Sequence, residues 1–274
     1  MTFSSNVLSI ECDGPVGTLW LDRPEKRNAM NQEMWTAFPS AITELGNNPD
    51  IRAVVIAGRG KSFCVGLDIT SAGGSQDPSP PPSGAIANLR QIEITRSFQD
   101  GITAIANCPV PVIAAVHSHC IGAGIDLITA CDIRLASADS IFSVRETRIG
   151  IVADVGTLQR LPDCVSAGHV AELAYTGKDF DAAHAEKIGL VNNVYPDVEA
   201  VQAAAQKLAS DIAANPPLAV RGTKFILQQS ENLTKEQSLL LNGLWTMVTS
   251  LNSNDFMEAV GAFIEKRAPK FTGT

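Results

Sequence analysis

Positive charge is scarce in this chain and nowhere concentrated. Lys and Arg number 21 against 29 Asp and Glu, for a formal net charge of -8 and a pI near 5.0. An acidic chain without a basic run lacks the electrostatic footprint of a nucleic-acid binder. A polyanionic small ligand stays open, provided that basic groups gather locally. No apolar run approaches the roughly 18 residues of a membrane span, so no membrane partner is expected. None of the six cysteines forms a C-x-x-C pair. In a chain this long, that reads as reduced, mostly buried thiols of an intracellular protein. Met1-Thr-Phe-Ser-Ser-Asn has no basic stretch leading into an apolar one, and Phe271-Thr-Gly-Thr274 is not a peroxisomal address. A bacterial-type cytoplasmic location is therefore expected. Internal repeats are absent as well.

What is present is apolar residues, at 45% of 274, enough for one large core with room for an appended helical segment. Strands are expected over 7–12 and 16–21, joined by Asp13-Gly14-Pro15. A helix is expected over 31–45 from the spacing of Met34, Phe38, Ile42 and Leu45, capped by Asn28 or Asn31. The fully apolar runs at 52–58 and 110–116 suit strands buried on both faces. Further short strands are expected over 133–136 and 141–144, and helices over 86–106 and from about Ala123. The Gly-, Ser- and Pro-rich stretch 70–84 reads as a mobile loop. Strand and helix alternate, which argues for an α/β core. From Val198 onward the pattern is helical. The expected organisation is a core over 1–197 and a helical segment over 198–274.

The chemistry is expected where three carboxylates sit in one short, apolar, glycine-rich stretch: Asp126, Glu146 and Asp154. Asp126 is flanked by Ile125, Leu127 and Ile128, and Asp154 by Ala153 and Val155. Burying an unpaired charge is expensive, so such groups are either paired or kept for proton transfer. Two glycine turns follow apolar strands, at Gly66 and at Gly122-Ala-Gly124. Both are explicable as ordinary tight turns. Both can equally present backbone N–H groups that converge on one point as an oxyanion hole. A dinucleotide reading of Gly122-Ala-Gly124 fails, because the third glycine would fall at Leu127 and Asp126 would repel a pyrophosphate.

His117-Ser-His119-Cys120 resembles a metal cluster. On an extended segment His117 and His119 share a face and Cys120 does not, and no second ligand group lies nearby. A structural role is expected rather than a metal site. Ser118 lacks a G-x-S-x-G frame, so a serine hydrolase is unsupported. Lys26 and Arg27 stand in a loop after a strand, and Lys266 and Arg267 near the C-terminus. Each pair is either solvated surface charge or a phosphate contact.

Together these motifs resemble the enoyl-CoA hydratase/isomerase, or crotonase, family over essentially the whole chain. The carriers are Arg23-Pro-Glu-Lys-Arg-Asn-Ala-Met30, Phe63-Cys-Val-Gly-Leu-Asp-Ile69 and the run from Cys120 to Ala136. The resemblance implies a ββα spiral core with a C-terminal helical trimerisation segment. It implies an acyl-CoA thioester as substrate, with no metal, no separate cofactor and no nucleic-acid partner. It also implies a homotrimer, or a hexamer of paired trimers, with 198–274 serving oligomerisation and closure of the CoA pocket. The oxyanion-hole N–H groups would be those of Leu67 and Ala123, where Ala123 replaces a usual glycine without losing the N–H. CoA contacts would come from Lys26, Arg27, Ala29, Val65, Asp68, Ile69, Phe263 and Lys266.

Within the family the resemblance is to the Δ3,5-Δ2,4-dienoyl-CoA isomerase branch. It rests on Gly124-Ile-Asp126-Leu-Ile-Thr-Ala-Cys-Asp-Ile-Arg134 and Gly150-Ile-Val-Ala-Asp154-Val-Gly-Thr-Leu-Gln-Arg-Leu-Pro162. The acidic positions of that branch map onto Asp126, Glu146 and Asp154; a hydratase would show Glu at 126 and an uncharged residue near 154. The implied activity is isomerisation of dienoyl-CoA in fatty-acid β-oxidation, with Glu146 acting at C2, Asp154 at C6 and Asp126 in support. The alternatives are a hydratase or a Δ3-Δ2-enoyl-CoA isomerase of the same fold, and a non-catalytic scaffold or RNA-binding relative. Retained acids argue against a scaffold, and the lack of a basic stripe argues against RNA.

Overall fold

β1 (Leu8–Asp13) and β2 (Val16–Leu21) open the chain as an antiparallel pair. A computed structural model describes residues 3–70 and 83–274. The loop expected over 70–84 lies, for residues 71–82, outside them. After β2 the chain makes a 3-10 turn at Pro24–Lys26 and enters α1 (Gln32–Asn47). Asn31 caps this helix by accepting the Met34 N–H, while Asn28, the other candidate, is used elsewhere. The apolar stripe of α1 buries Met34, Trp35, Phe38, Ile42 and Leu45. β3 (Ala53–Gly58), α2 (Gly84–Ala106) and β4 (Val112–Val116) follow. β4 starts two residues later than the apolar run suggested, since Pro111 has no N–H for the ladder. Next come β5 (His119–Ile121), α3 (Ala123–Thr129), β6 (Ile133–Ser137) and β7 (Ile141–Ser143). They are followed by α4 (Thr157–Cys164), α5 (Ala167–Thr176), β8 (Phe180–Asp181), α6 (Ala182–Lys187) and β9 (Asn193–Tyr195).

The main sheet runs β1-β2-β3-β4-β6-β9 and is parallel from β2 onward. A small sheet, β5-β7-β8, stands apart from it. Period two explains the all-apolar central strands. Val54, Ile56, Val112, Ala114 and Val116 face the cluster that holds α1, α2 and α3. Ala53, Val55, Ala57, Ile113 and Ala115 face Val201, Ala205, Ala209 and Ala213 of α7 (Val198–Ala213). Small alanines on both sides bring α7 close to the sheet. Val198 thus begins a helix, as expected, and that helix covers the second sheet face.

α8 (Pro217–Ser230), α9 (Lys235–Trp245), a π-helical turn at Thr246–Ser250 and α10 (Asn254–Glu265) complete the chain. α8 is fastened by Lys224, whose buried Nζ meets Asp132 Oδ2 at 2.7 Å and Val110 O at 3.0 Å. Of the apolar tail positions, Trp245 packs against Phe225 with ring centroids 5.1 Å apart and planes tilted by 33°, and Leu241 is half-buried. Leu239, Leu240, Leu244 and Met247 are exposed, as are Val248 and Ile264. Among the described residues no helix is long and apolar enough to cross a membrane.

Candidate active site

The parallel strands β3 and β4 end on the same side of the sheet, where side chains and ligands meet loops rather than neighbouring strands. The loop after β3 and the segment after β4 are stitched together by backbone. Cys64 and Cys120 form a parallel bridge, with Cys64 N donating to His119 O and Ile121 N to Cys64 O. A second bridge joins Met30 to Leu67: Met30 N donates to Gly66 O, and Asp68 N to Met30 O. These bonds take the groups on either side of the Leu67 N–H and leave that N–H without an acceptor among the described residues. The Ala123 N–H is likewise free, as the first N–H of α3.

Gly122 draws the two turns together. Its φ is 53°, and a Cβ there would lie 3.8 Å from Gly66 Cα and 3.2 Å from Glu146 Oε1. A side chain at 122 would thus press on the Glu146 carboxylate that faces the turn. Glu146 follows β7 and opens the 3-10 turn Glu146–Ile149. It is 8% exposed, and its buried Oε2 has no hydrogen-bond partner among the described residues. Burial, and then the charges of Asp126 and Asp154, push this carboxyl up to about 7. A buried carboxylate oxygen that lacks a donor is suited to accept a proton.

Asp126, in the first turn of α3, is 2% exposed. Its Oδ1 accepts both the N–H and the hydroxyl of Thr157, at 2.6 and 2.7 Å. Burial raises it to about 6, against the lowering effect of those two bonds and of Arg160. Asp154 departs from expectation: its side chain is exposed despite apolar neighbours. Ala153 and Val155 turn inward, and the Asp154 carbonyl is held by Gln99 Nε2 at 2.6 Å. Its charge still acts on both other carboxyls, so all three share one electrostatic neighbourhood.

The Pro24–Lys26 turn exposes Lys26 and Arg27. Arg27 and Asn28 are both left-handed, with φ of 49° and 57°. Buried Asn28 holds this shape: its Oδ1 accepts the Arg23 N–H, and its Nδ2 donates to Arg59 O and Ser62 O. Arg23 pairs with Asp68 at 3.1 Å and donates to Ala29 O. Asp68 also accepts the Thr70 hydroxyl, and that bond and the Arg23 pair hold its carboxyl below the usual range. Lys26, Arg27, Ala29, Val65, Leu67, Asp68 and exposed Ile69 thus belong to one pair of stitched loops. Asp68 serves there by ordering the loop, with its carboxylate turned to Arg23. Phe263 is 85% exposed, and Lys266 stands at the left-handed end of α10. Among the described residues neither is bonded to that loop pair.

The histidines differ from the expected pattern. Ser118 has φ 51°, which breaks the extended alternation between His117 and His119. His117 Nε2 meets Gly60 O at 3.1 Å, and His119 Nδ1 meets Ser118 Oγ at 2.8 Å.

The family model for enoyl-CoA hydratase/isomerase matches residues 11–274. The chain belongs to the enoyl-CoA hydratase/isomerase family. It is 40% identical over 261 residues to the peroxisomal Δ(3,5)-Δ(2,4)-dienoyl-CoA isomerase of Arabidopsis thaliana, covering 94% of this chain and 93% of that one. It is 40% identical over 256 residues to the mitochondrial enzyme of that name from Dictyostelium discoideum, covering 93% and 87%. The solved structure of a candidate enoyl-CoA hydratase from Streptomyces coelicolor A3(2) superimposes with a TM-score of 0.91. It is 31% identical, and the match covers 100% of this chain and 97% of that one. The hydratase/isomerase fold accounts for the sheet, the small β5-β7-β8 sheet and the helical end of the chain.

Thr157, Arg160, Asn28 and Arg23 were not singled out from the sequence as site residues. Thr157 had a visible signal: a Gly-Thr pair opening a helix, close after an acid. Asn28 had none beyond its place in the loop motif.

Proposed function

We propose that this protein converts a 3,5-dienoyl-CoA to the 2,4-dienoyl-CoA in fatty-acid β-oxidation. The carrying observation is that buried Glu146 Oε2, without a partner among the described residues, lies in one electrostatic neighbourhood with Asp126 and Asp154, beside two adjoining turns that each leave one N–H free. The names of relatives at 40% identity support the same reading.

In this reaction the thioester oxygen accepts the Leu67 and Ala123 N–H groups. Glu146 takes a proton from C2, and the electron pair spreads through the diene to the thioester oxygen as an extended enolate. Each donor is worth roughly 3–4 kcal/mol in sites of this kind. A proton from water, passed through exposed Asp154, reaches C6, which leaves double bonds at C2=C3 and C4=C5 and restores the carbonyl. One proton has left the substrate for Glu146 and one has arrived through Asp154, so the product is an isomer. Glu146, raised to about 7, returns its proton to water, which balances the one supplied at C6. The chemistry needs no metal or redox group, and CoA belongs to the substrate. Its phosphates lie against Lys26 and Arg27, with Phe263 and Lys266 closing the pocket in the assembled protein.

The same proposal includes a homotrimer or a pair of trimers. Leu239, Leu240, Leu244 and Met247 are exposed on α9 and the turn after it, apolar side chains that a second copy of the chain would cover. It also includes a cytoplasmic setting, supported by the six free thiols.

Incubation with a 3,5-dienoyl-CoA and, separately, with a 2-enoyl-CoA tests the reading. Appearance of the conjugated 2,4-dienoyl chromophore, with little loss of the 2-enoyl band, is expected. Rapid hydration of the 2-enoyl ester without isomerisation makes the protein a hydratase instead.

A further inference from the structure

We propose that Thr157 is a positioning residue of this site: by placing two donors on one oxygen of Asp126 it keeps that carboxylate ionised beside Glu146. The inference rests on the isomerase reading and adds to it what sets the charge beside Glu146.

The geometry begins at Gly156, whose φ of 134° is closed to L side chains and turns the chain into α4. Thr157 is the first residue of that helix and fully buried. Its N–H is one of the free first-turn donors, and its hydroxyl points the same way. Both converge on Asp126 Oδ1, at 2.6 and 2.7 Å. Two short bonds to one oxygen stabilise the charged form over the neutral one. The positive end of α4 acts in the same direction.

Every other group around Asp126 has a definite effect. From α4, Arg160 favours the charge; it is held by Thr103 of α2, an uncharged residue, at 3.0 Å. The charge of Asp154, just before α4, opposes it. Glu146 and Asp126 oppose each other, being like charges. Cys64, on the loop after β3, is pushed up by burial to about 12, and Cys120 of β5 is raised as well. Both thiols are therefore neutral at working pH and contribute no charge. Burial itself is the largest opposing effect. Against that burial, the groups that favour the charge of Asp126 are, in order of effect, the Thr157 hydroxyl, the Thr157 N–H and Arg160.

The charge of Asp126 matters to the proposed reaction, because an ionised Asp126 makes Glu146 a stronger base. Without the Thr157 hydroxyl, Asp126 keeps its proton to higher pH, and Glu146, facing one charge fewer, ionises at lower pH.

The test uses Thr157→Val and Thr157→Ala, which remove the hydroxyl, and Thr157→Ser, which retains it. The first readout is infrared titration of carboxyl bands in the substrate-free protein, with the Asp126 band assigned by its loss in Asp126→Asn. In Thr157→Val or Thr157→Ala the Asp126 band should titrate about one pH unit higher, the scale of one charge-assisted hydrogen bond. Thr157→Ser should match the wild type. The second readout is the pH profile on 3,5-dienoyl-CoA. The acid limb of kcat/KM should move down by about half a unit, with kcat lowered about tenfold and KM little changed. Thr157→Ser should restore both. An Asp126 band that titrates alike in all variants overturns the role of Thr157, whatever the activity. A wild type inert towards 3,5-dienoyl-CoA overturns the isomerase reading instead, and the titration still decides whether Thr157 sets the charge of Asp126.

Discussion

Replacing Glu146 by Gln should disable the reaction and at the same time strengthen the fold in alkaline solution. Gln keeps the size of the side chain and cannot titrate. In the native protein burial raises Glu146 from an ordinary 4.5 to about 7. Between these values the native state holds a proton that the unfolded chain has released, so stability falls as pH rises through that window. At 1.36 kcal/mol per pH unit the full loss is on the order of 3 kcal/mol, complete above pH 7. By pH 5.5 about 1.4 kcal/mol of it has already gone, which leaves about 2 kcal/mol between pH 5.5 and 8.5. Glu146 is 8% exposed, so solvent screening removes little of this. The assay is urea unfolding of wild type and Glu146→Gln at both pH values and one protomer concentration, because oligomers gain apparent stability with concentration. The advantage of the variant should grow by about 2 kcal/mol from pH 5.5 to 8.5, while kcat falls about 10²-fold or more. A stability gap that does not change with pH would refute the account of a carboxylate held against its preference.

Three further outcomes can be checked in solution. Asp154→Asn should lower isomerisation about 10²-fold or more while exchange of the C2 proton with solvent persists, and Glu146→Gln should suppress that exchange; near-full activity of Asp154→Asn would leave a two-carboxylate, hydratase-like enzyme. Replacing both Lys26 and Arg27 with Ala should weaken CoA-ester binding about tenfold by calorimetry, since each phosphate contact is charge-assisted, and unchanged affinity would place the phosphates elsewhere. Sedimentation at micromolar concentration should show a trimer or hexamer that Leu240→Glu dissociates, and a wild-type monomer would contradict the assembly.

Much of the scaffold was legible because it follows simple periods. β3 is an unbroken apolar run and α1 has a clean stripe from Met34 to Leu45. The two- and three-residue strands β5, β8 and β9 are too short to carry a period, and their pairing is decided by distant partners. The shared neighbourhood of Asp126, Glu146 and Asp154 could be anticipated from acids in apolar company. The exposure of Asp154 could not, because the backbone between Ala153 and Val155 alternates without belonging to any strand. The same applies to Ser118, whose left-handed backbone separates two histidines that alternation would have aligned. The role of α7 was hidden for a different reason. Its alanines look like a plain helix former's choice, and only opposite Ala53, Ala57 and Ala115 do they become a packing surface.

The Met30–Leu67 and Cys64–Cys120 bridges bear on how much chemical variety such a scaffold can host. They fix the two free N–H groups through main chain alone, so the identity of residues 67 and 123 hardly matters to where those donors point. The three acids, by contrast, are side chains on separate supports: α3, a 3-10 turn and the irregular segment before α4. Glu146 and Asp154 stand apart from the helix that carries the Ala123 N–H, so either acid can change without moving it, whereas Asp126 shares that helix and also holds Thr157 at the start of α4. The donors and the acids are thus set by different parts of the chain, main chain for the first and side chains for the second.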